Sequence, residues 1–331
     1  MSAPSVPGDD DWRPYDLVTF GETMIRLTAE AGVRLEETGA LRVTIGGTES
    51  NVAVALARLG RRTAWLSALP ANPLGQRIAG ELRRHRVDTT HILWTSGRVG
   101  VYFMEPGTAP RPTRVLYDRA DSAIARIDPD ALDVSIVKGA GILHLTGITP
   151  ALSAGCRAAC LRLADAARAD GVPVSVDVNY RSRLWSPEQA AEGIQPLLDR
   201  ATLVFCGAGD AGTIWGLTGD PAMVAQELLN RSSAHIVVVT VSERGSLALT
   251  RDGVRHDQPA LPVETIDAVG AGDAFAAGFI HRWLDDPTGI PSALRCAAAL
   301  AALKMTIYGD NAVITPDDLA LFDASGPDID R

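Results

Sequence analysis

Between residues 141 and 241 the sequence alternates short apolar runs with longer amphipathic ones, and no other feature limits the fold as strongly. Strands are predicted near 141–145, 172–178, 202–206 and 235–241, and helices near 151–170, 187–199 and 221–231. This rhythm is typical of a parallel sheet covered by helices on both faces. Residues 16–20 add a buried first strand, so we predict an α/β fold with a mostly parallel central sheet.

Two segments, 22–45 and 98–121, depart from this rhythm. Their apolar residues are spaced by two, which is typical of half-exposed strands, and the second segment contains a Pro- and Gly-rich turn that indicates a hairpin. We expect both segments to pair as a small β-sheet lid, because ligands bind where parallel strands end. The α/β domain would then comprise residues 15–21, 46–97 and 122–325, after a polar leader, 1–14, that we predict to be disordered.

Charge and composition limit the partners of the chain. Its 331 residues carry a formal net charge of −9, which argues against a nucleic acid or an anionic membrane as partner. No apolar run reaches the length needed to span a membrane. The four cysteines have no second Cys or His pair nearby, so buried thiols in a cytoplasmic protein are expected.

One short stretch, Asp267 to Asp273, combines two glycines with an acid just before an apolar helical run. The start of a helix has unpaired N–H groups that attract anions, and glycines let a ligand approach the backbone closely. An acid at such a place suits a base that deprotonates a hydroxyl while the adjacent amides hold a phosphoryl group. The same residues also fit a tight turn with an aspartate cap, so both interpretations are open at this point.

Several common motifs are missing from the sequence. Neither lysine follows a glycine, which excludes a Walker A loop, and neither the dinucleotide fingerprint nor a His-Glu-x-x-His or Gly-x-Ser-x-Gly motif is found. A second glycine loop is present, however. It contains Gly46, Gly47 and Asn51, and it leads into a predicted helix that is rich in small residues.

The two glycine loops, their order and separation, and the lid-like insertions together resemble the ribokinase-like (PfkB) carbohydrate kinases over residues 15–325. Within that family the chain most resembles the 2-keto-3-deoxygluconate kinases. The resemblance to that group is carried by the stretches 20–22, 102–105, 114–123 and 177–181.

This resemblance implies a role for each matching residue. Asp273 would be the catalytic base, and the N–H groups of Gly270, Ala271 and Gly272 would hold the transferring phosphoryl group. The implied sugar site consists of Gly46, Gly47, Asn51, Tyr102, Tyr117, Arg119 and Arg181. The implied nucleotide site consists of Asn179, Ser242 and Gly245, with Gly270 and Gly272. ATP and Mg²⁺ are the implied cofactors, with Asp210 reaching the metal through water.

The arginines give the implied substrate its chemical class. A planar guanidinium binds a carboxylate with two charge-assisted hydrogen bonds, which a neutral sugar does not need. For Arg119 the alternative is a salt bridge to Asp118, Asp121 or Glu105. For the two lid tyrosines, the alternative is ordinary packing within the lid.

Three positions depart from the family pattern. Ala268 stands where threonine or serine is usual, residues 207–210 replace Asn-x-x-Glu, and Ser242 replaces a glycine. The need for a monovalent cation is therefore open.

We predict an ATP-dependent kinase that phosphorylates a terminal hydroxyl of 2-keto-3-deoxygluconate or a similar acidic keto sugar. A kinase for a neutral sugar of the fructose or ribose type is the first alternative. A catalytically idle regulator that binds a sugar or nucleotide is the second. The exposed edges of a lid sheet also favour a homodimer or a higher homo-oligomer formed through the lid.

Overall fold

The structure is a computed structural model that describes residues 13–324. The strands are β1 Leu17–Phe20, β2 Met24–Thr28, β3 Arg42–Gly46, β4 Thr63–Leu66, β5 Ala68–Pro70, β6 Val87–Asp88, β7 Leu93–Thr95, β8 Val101–Glu105, β9 Arg114–Asp118, β10 Ile142–Thr146, β11 Val174–Asp177, β12 Leu203–Gly207, β13 Ile236–Thr240, β14 Ser246–Thr250 and β15 Arg255–Gln258. The helices are α1 Thr48–Arg58, α2 Pro73–Arg84, α3 Ile148–Leu152, α4 Ala154–Ala169, α5 Pro187–Leu198, α6 Ala208–Trp215, α7 Pro221–Asn230, α8 Ala271–Trp283, α9 Ile290–Met305 and α10 Pro316–Ala324.

Within residues 13–324 the largest sheet has nine strands, in the order β15-β14-β13-β12-β11-β10-β1-β4-β6. The seven neighbouring strands of this sheet pair in parallel, in the order β6, β4, β1, β10, β11, β12 and β13. The hairpin β14–β15 continues the sheet with antiparallel pairing. β1 and β10 are buried along their whole length, because helices cover both faces. The predicted α/β class and its mostly parallel central sheet are therefore confirmed.

Two apolar layers flank this sheet. On one face, α4, α5 and α7 bury residues such as Leu163, Ile194 and Leu228. On the other face, α1, α8 and α9 bury residues such as Leu56 and Phe279. The glycine-acid stretch therefore leads into α8, a helix that packs against the central sheet and against α1.

The small separate sheet that was expected is present, in the order β3-β2-β8-β9. Its strands come from the two segments 22–45 and 98–121. The pairs β2–β3 and β8–β9 are antiparallel, whereas β2 and β8 pair in parallel. The predicted leader lies largely outside the described residues. The two leader residues that are described, Arg13 and Pro14, precede β1 without regular structure.

Two local features differ from the sequence-based expectation. The helix predicted near 151–170 is divided, because Ser153 is extended and its hydroxyl caps α4 by accepting a hydrogen bond from the Cys156 N–H. Helix α6 was not predicted at all, because the glycines at 207, 209 and 212 weaken its helical pattern. No helix within residues 13–324 is both long and apolar enough to cross a bilayer.

Candidate active site

A cavity of about 440 Å³ lies between the lid and the carboxyl ends of the central strands. Three helices begin at this cavity, and their capping glycines, Gly47 for α1, Gly207 for α6 and Gly270 for α8, form part of its wall. Because the N-terminal end of a helix carries partial positive charge, the three together favour an anionic ligand.

The turn before α8 depends on Gly270. This residue has φ of +84°, and a Cβ atom there would lie 2.1 Å from the main-chain oxygen of Asp310. Within residues 13–324 the N–H groups of Gly270 and Gly272 have no hydrogen-bond acceptor, and both residues line the cavity. The Ala271 N–H instead donates to the Ala268 carbonyl, 3.2 Å away, and closes the turn. The geometry therefore leaves two of the three predicted amides available to a ligand.

Asp273 lies in the first turn of α8 and is only 7% exposed. Its Oδ2 accepts a hydrogen bond of 2.7 Å from Nδ2 of Asn51, a residue of α1. Burial raises the pKa of Asp273 to about 7, and the charges of Asp310 and Glu49 act in the same direction. A carboxylate whose pKa lies near neutral pH, and whose orientation is fixed by a hydrogen bond, is suited to general-base chemistry. Asn51, which we predicted to hold sugar hydroxyls, is engaged with this acid.

Two more acids share the cavity. Asp177 ends β11, and Asp210 lies in the first turn of α6, where its Oδ2 accepts the Tyr180 N–H. Burial, followed by the charges of Asp273 and Asp210, raises the pKa of Asp177 to about 8. Burial also raises the pKa of Asp210. Among residues 13–324, however, no three acidic, His or Cys groups are close enough together to ligate a metal directly. Carboxylate oxygens are ligands that Mg²⁺ prefers, so Asp177 and Asp210 are residues of this cavity that could hold a divalent cation.

The glycines of the N-terminal loop make room for neighbouring protein groups. A Cβ atom at Gly46 would lie 2.3 Å from a carboxylate oxygen of Asp310, and one at Gly47 would lie 2.1 Å from the main-chain oxygen of Glu22. Both glycines line the cavity. Close approach is thus required here, although the groups that approach in this structure belong to the protein.

Arg119 has a partner that the sequence reading missed. Its guanidinium binds Oε2 of the buried Glu22, with Nη2 at 2.6 Å and Nε at 2.7 Å. The three predicted alternatives were wrong, because each of those acids pairs with another arginine. Those ion pairs are Arg98–Asp118, Arg126–Asp121, Arg34–Glu105 and Arg111–Glu105. Arg119 nevertheless lines the cavity beside Tyr117, with its guanidinium carbon 5.7 Å from the ring centroid.

Arg181 and the two tyrosines complete this side of the cavity. Arg181 is exposed, and no hydrogen bond or ion pair engages its guanidinium within the described part of the chain. The Tyr102 hydroxyl donates a hydrogen bond of 2.7 Å to Oδ2 of Asp310. The Tyr117 ring lies 5.8 Å from the Tyr102 ring and is partly exposed to the cavity. Of these side chains, Arg181 is the one most available to a ligand.

A buried ionic cluster behind the cavity was not predicted. Arg26 of β2, which is 2% exposed, binds Asp267 at 2.7 Å and Asp310 at 2.5 Å. Asp310 in turn accepts the hydroxyl hydrogen of Tyr102. The cluster thus joins two lid strands to the loop that leads into α8. An arginine between apolar neighbours in a lid strand was the one sequence signal that could have revealed it.

Two predicted nucleotide residues lie elsewhere. Ser242 is in a short 3₁₀ turn and Gly245 follows that turn, and neither belongs to the cavity wall. A Cβ atom at Gly245 would lie 2.1 Å from the main-chain oxygen of Gln258, so this glycine is needed for hairpin packing. Asn179, the third predicted nucleotide residue, does line the cavity. Thr240, at the end of β13, also lines it and was not predicted.

Comparison with known proteins gives concordant matches. The model of the pfkB family carbohydrate kinases matches residues 15–317. A 2-dehydro-3-deoxygalactonokinase of Haloferax volcanii is 43% identical over 305 residues, covering 92% of this chain and 95% of that protein. A 2-dehydro-3-deoxygluconokinase of Bacillus subtilis is 31% identical over 314 residues, covering 93% and 95%. The crystal structure of a 2-dehydro-3-deoxygluconokinase from Thermotoga maritima superposes with a TM-score of 0.89 at 32% identity, covering 93% of this chain and 98% of that one.

Proposed function

The chain belongs to the pfkB family of carbohydrate kinases, and on that premise we propose that it phosphorylates a terminal hydroxyl of an acidic 3-deoxy keto sugar with ATP. The observation that carries the proposal is that one cavity contains a buried carboxyl group, Asp273, two free amides at a helix start, and two arginines. The relatives named for 2-dehydro-3-deoxy sugar acids support the same substrate class, because 2-dehydro and 2-keto describe the same group.

In the proposed reaction, Asp273 takes the proton of the terminal hydroxyl as its oxygen attacks the γ-phosphorus of ATP. The new O–P bond forms while the bond from that phosphorus to the β–γ bridging oxygen breaks, and ADP leaves with the electron pair. The N–H groups of Gly270 and Gly272, at the start of α8, stabilise the charge on the transferring group. Asn51 donates a hydrogen bond to Oδ2 of Asp273. This bond fixes the orientation of the carboxylate, so that the protein also positions the other carboxylate oxygen.

The sugar carboxylate is proposed to bind between Arg181 and Arg119. All guanidinium donors of Arg181 are available, whereas the Nε and Nη2 groups of Arg119 already bind Glu22. Tyr102 and Tyr117 would cover the sugar from the lid, and Gly46 and Gly47 would allow its carbon chain to approach the N-terminal loop. Bidentate recognition of this kind is stronger than binding to a neutral hydroxyl.

Mg²⁺ would accompany ATP and neutralise the charge of its phosphates. Asp177 and Asp210 fit this role, because both carboxylates line the cavity and carboxylate oxygens are preferred ligands of Mg²⁺. We propose that these acids meet the metal through water. Asn179 would contact the nucleotide from the same side, and the roles of Ser242 and Gly245 stay predictions, since both lie outside the cavity wall.

The proposed function is tested by ATP consumption with a panel of sugars. We expect 2-keto-3-deoxygluconate or its galacto epimer to give a higher kcat/KM than fructose, ribose or adenosine. A faster reaction with a neutral sugar would refute the acidic substrate while leaving a sugar kinase. Titration calorimetry that shows sugar binding without any turnover would instead favour the idle regulator.

Replacing Arg181 with methionine is expected to raise KM for the acidic sugar by roughly 10-fold or more, because hydrogen bonds between charged groups contribute about 1.5–3 kcal/mol. Steady-state kinetics with each substrate varied in turn measures the effect. Arg183→Met, which changes an exposed arginine outside the cavity wall, is the matched control. An increase in KM for ATP alone would place Arg181 on the nucleotide side.

We also propose that the protein is cytoplasmic and forms a homodimer through the lid. The lid face opposite the cavity has one apolar row across all four strands, formed by Val43, Leu27, Phe103 and Leu116 in register. Leu116, on the edge strand, is 51% exposed. A second copy would cover this row, because exposed apolar surface favours association. Light scattering is expected to give twice the chain mass, and Leu116→Glu to give monomers. A monomeric wild type would refute the proposal.

A further inference from the structure

Lys304, in the last turn of α9, is 0% exposed, which is unusual for a lysine. Its Nζ donates to the main-chain oxygen of Asp267 at 2.8 Å and to that of Ile307 at 3.4 Å. Burial lowers the pKa of this ammonium, whereas the charges of Asp267 and Asp310 oppose the decrease. The other lysine of the sequence, Lys138, is exposed. The role of this buried cation therefore depends on the two main-chain oxygens that it binds.

The carbonyl that Lys304 holds belongs to the first residue of the stretch that ends in the proposed base. The end of α9 secures this stretch from several sides: the N–H groups of Ile266 and Asp267 both donate to the Met305 carbonyl. The Gly309 N–H donates to Oδ2 of Asp267. From α9 itself, Lys304 adds a hydrogen bond from a charged group to the Asp267 carbonyl. Movement of this carbonyl would therefore shift the turn that presents the amides of Gly270 and Gly272.

Charged groups already surround this point. Arg26 and Lys304 face Asp267 and Asp310 in one buried cluster, and Asp273 is a further acid whose charge acts on Lys304. A potassium ion at the Asp267 carbonyl would compete with Nζ, which already binds that oxygen. Ala268, the next residue, offers no hydroxyl as a ligand. The residues present therefore do not fit a monovalent metal ion beside this loop.

We propose that the Lys304 ammonium serves as a built-in monovalent cation for the loop that forms the phosphoryl site. It holds the Asp267 carbonyl and thereby positions Gly270 and Gly272, so that the enzyme needs no added potassium. An ammonium and a potassium ion are similar in charge and size, and both bind carbonyl oxygens. Lys304 is thus a positioning residue. The proposal rests on the proposed kinase function for its kinetic readout, but its binding readout is independent of turnover.

The wild-type enzyme provides the first test. The rate is compared in potassium chloride and in tetramethylammonium chloride at equal ionic strength of about 0.1 M, so that screening is constant. We expect equal rates within about twofold, since no differential contact with potassium is present to change the barrier. Activation by potassium of about fivefold or more would overturn the proposal.

Variants provide the second test. Lys304→Ala is expected to lower kcat by roughly 10–100-fold with KM for the sugar nearly unchanged, because misplaced amides act on the transition state. Potassium or ammonium chloride should then restore part of kcat and raise the melting temperature of this variant. Neither salt should change the wild type or the control Lys138→Met beyond what tetramethylammonium chloride does.

The remaining outcomes are also decisive. Full kcat of Lys304→Ala without potassium would overturn the positioning role. Loss of kcat with no response to either ion would overturn the cation role. If Lys304→Ala does not fold, Lys304→Met and the wild-type comparison take its place. If no sugar is turned over, the proposed function fails, yet stabilisation of the alanine variant by potassium still tests the cation claim.

Discussion

Replacing Asp273 with asparagine is expected to reduce kcat by about 10²–10⁴, the usual contribution of a general base, with little change in KM for the sugar. The substitution keeps the shape of the side chain but removes its ability to accept the hydroxyl proton. Asn51, whose amide now donates to Oδ2, can bind the new side chain after an amide rotation. Steady-state kinetics with saturating ATP measures the effect.

Asp286→Asn is the control for this substitution, because Asp286 is exposed just beyond the C-terminal end of α8 and caps a surface turn. Its kcat should match that of the wild type. Unchanged turnover in Asp273→Asn would show that Asp273 has only a structural role in the first turn of α8. The base would then have to be sought among the other acids of the cavity.

The pH dependence gives a second readout for the same carboxyl group. Burial raises the pKa of Asp273 to about 7. Since a base acts in its deprotonated form, kcat/KM should fall about tenfold per pH unit below this pKa and level off above it. Asp177, with a pKa of about 8, is coupled to Asp273 by charge, so the observed inflection belongs to the pair. A flat profile between pH 5 and pH 8 would contradict the assignment of Asp273 as the base.

Replacing Arg26 with methionine is expected to lower the free energy of unfolding by about 3–5 kcal/mol, because it leaves buried acids without their partner. Asp267 and Asp310 are both buried, and each binds a different nitrogen of this guanidinium. Methionine fills most of the volume, so the loss reflects charge rather than a cavity. Urea unfolding at neutral pH, followed by circular dichroism, measures the change.

Arg98→Met is the matched control for Arg26→Met. Arg98 also lies in the lid region and pairs with Asp118, but both side chains are exposed. Its loss should therefore cost no more than about 1 kcal/mol. An equal effect of the two substitutions would show that the buried cluster contributes no more than a surface ion pair.

Sequence reasoning was reliable where the signal is local. The alternation between residues 141 and 241 predicted the parallel strands, since apolar spacing reflects burial of each element. The glycines before Asp273 predicted a helix start, because Gly270 must adopt a left-handed conformation there. Local reasoning was weaker for α6, where glycines hide the helical pattern. The nucleotide roles of Ser242 and Gly245, which the resemblance implied, stay predictions.

The sequence by itself determined the α/β class, the lid segments, the two glycine loops and the candidate base. Only the tertiary structure decided which groups meet: Asn51 with Asp273, Arg119 with Glu22, and Lys304 with the carbonyl of Asp267. The physical reason is range. Periodicity and helix capping depend on neighbours within one element, whereas hydrogen bonds and ion pairs form over a few ångströms between residues far apart in the chain. Their pairing is set by the order of strands in the sheet, which no local pattern specifies.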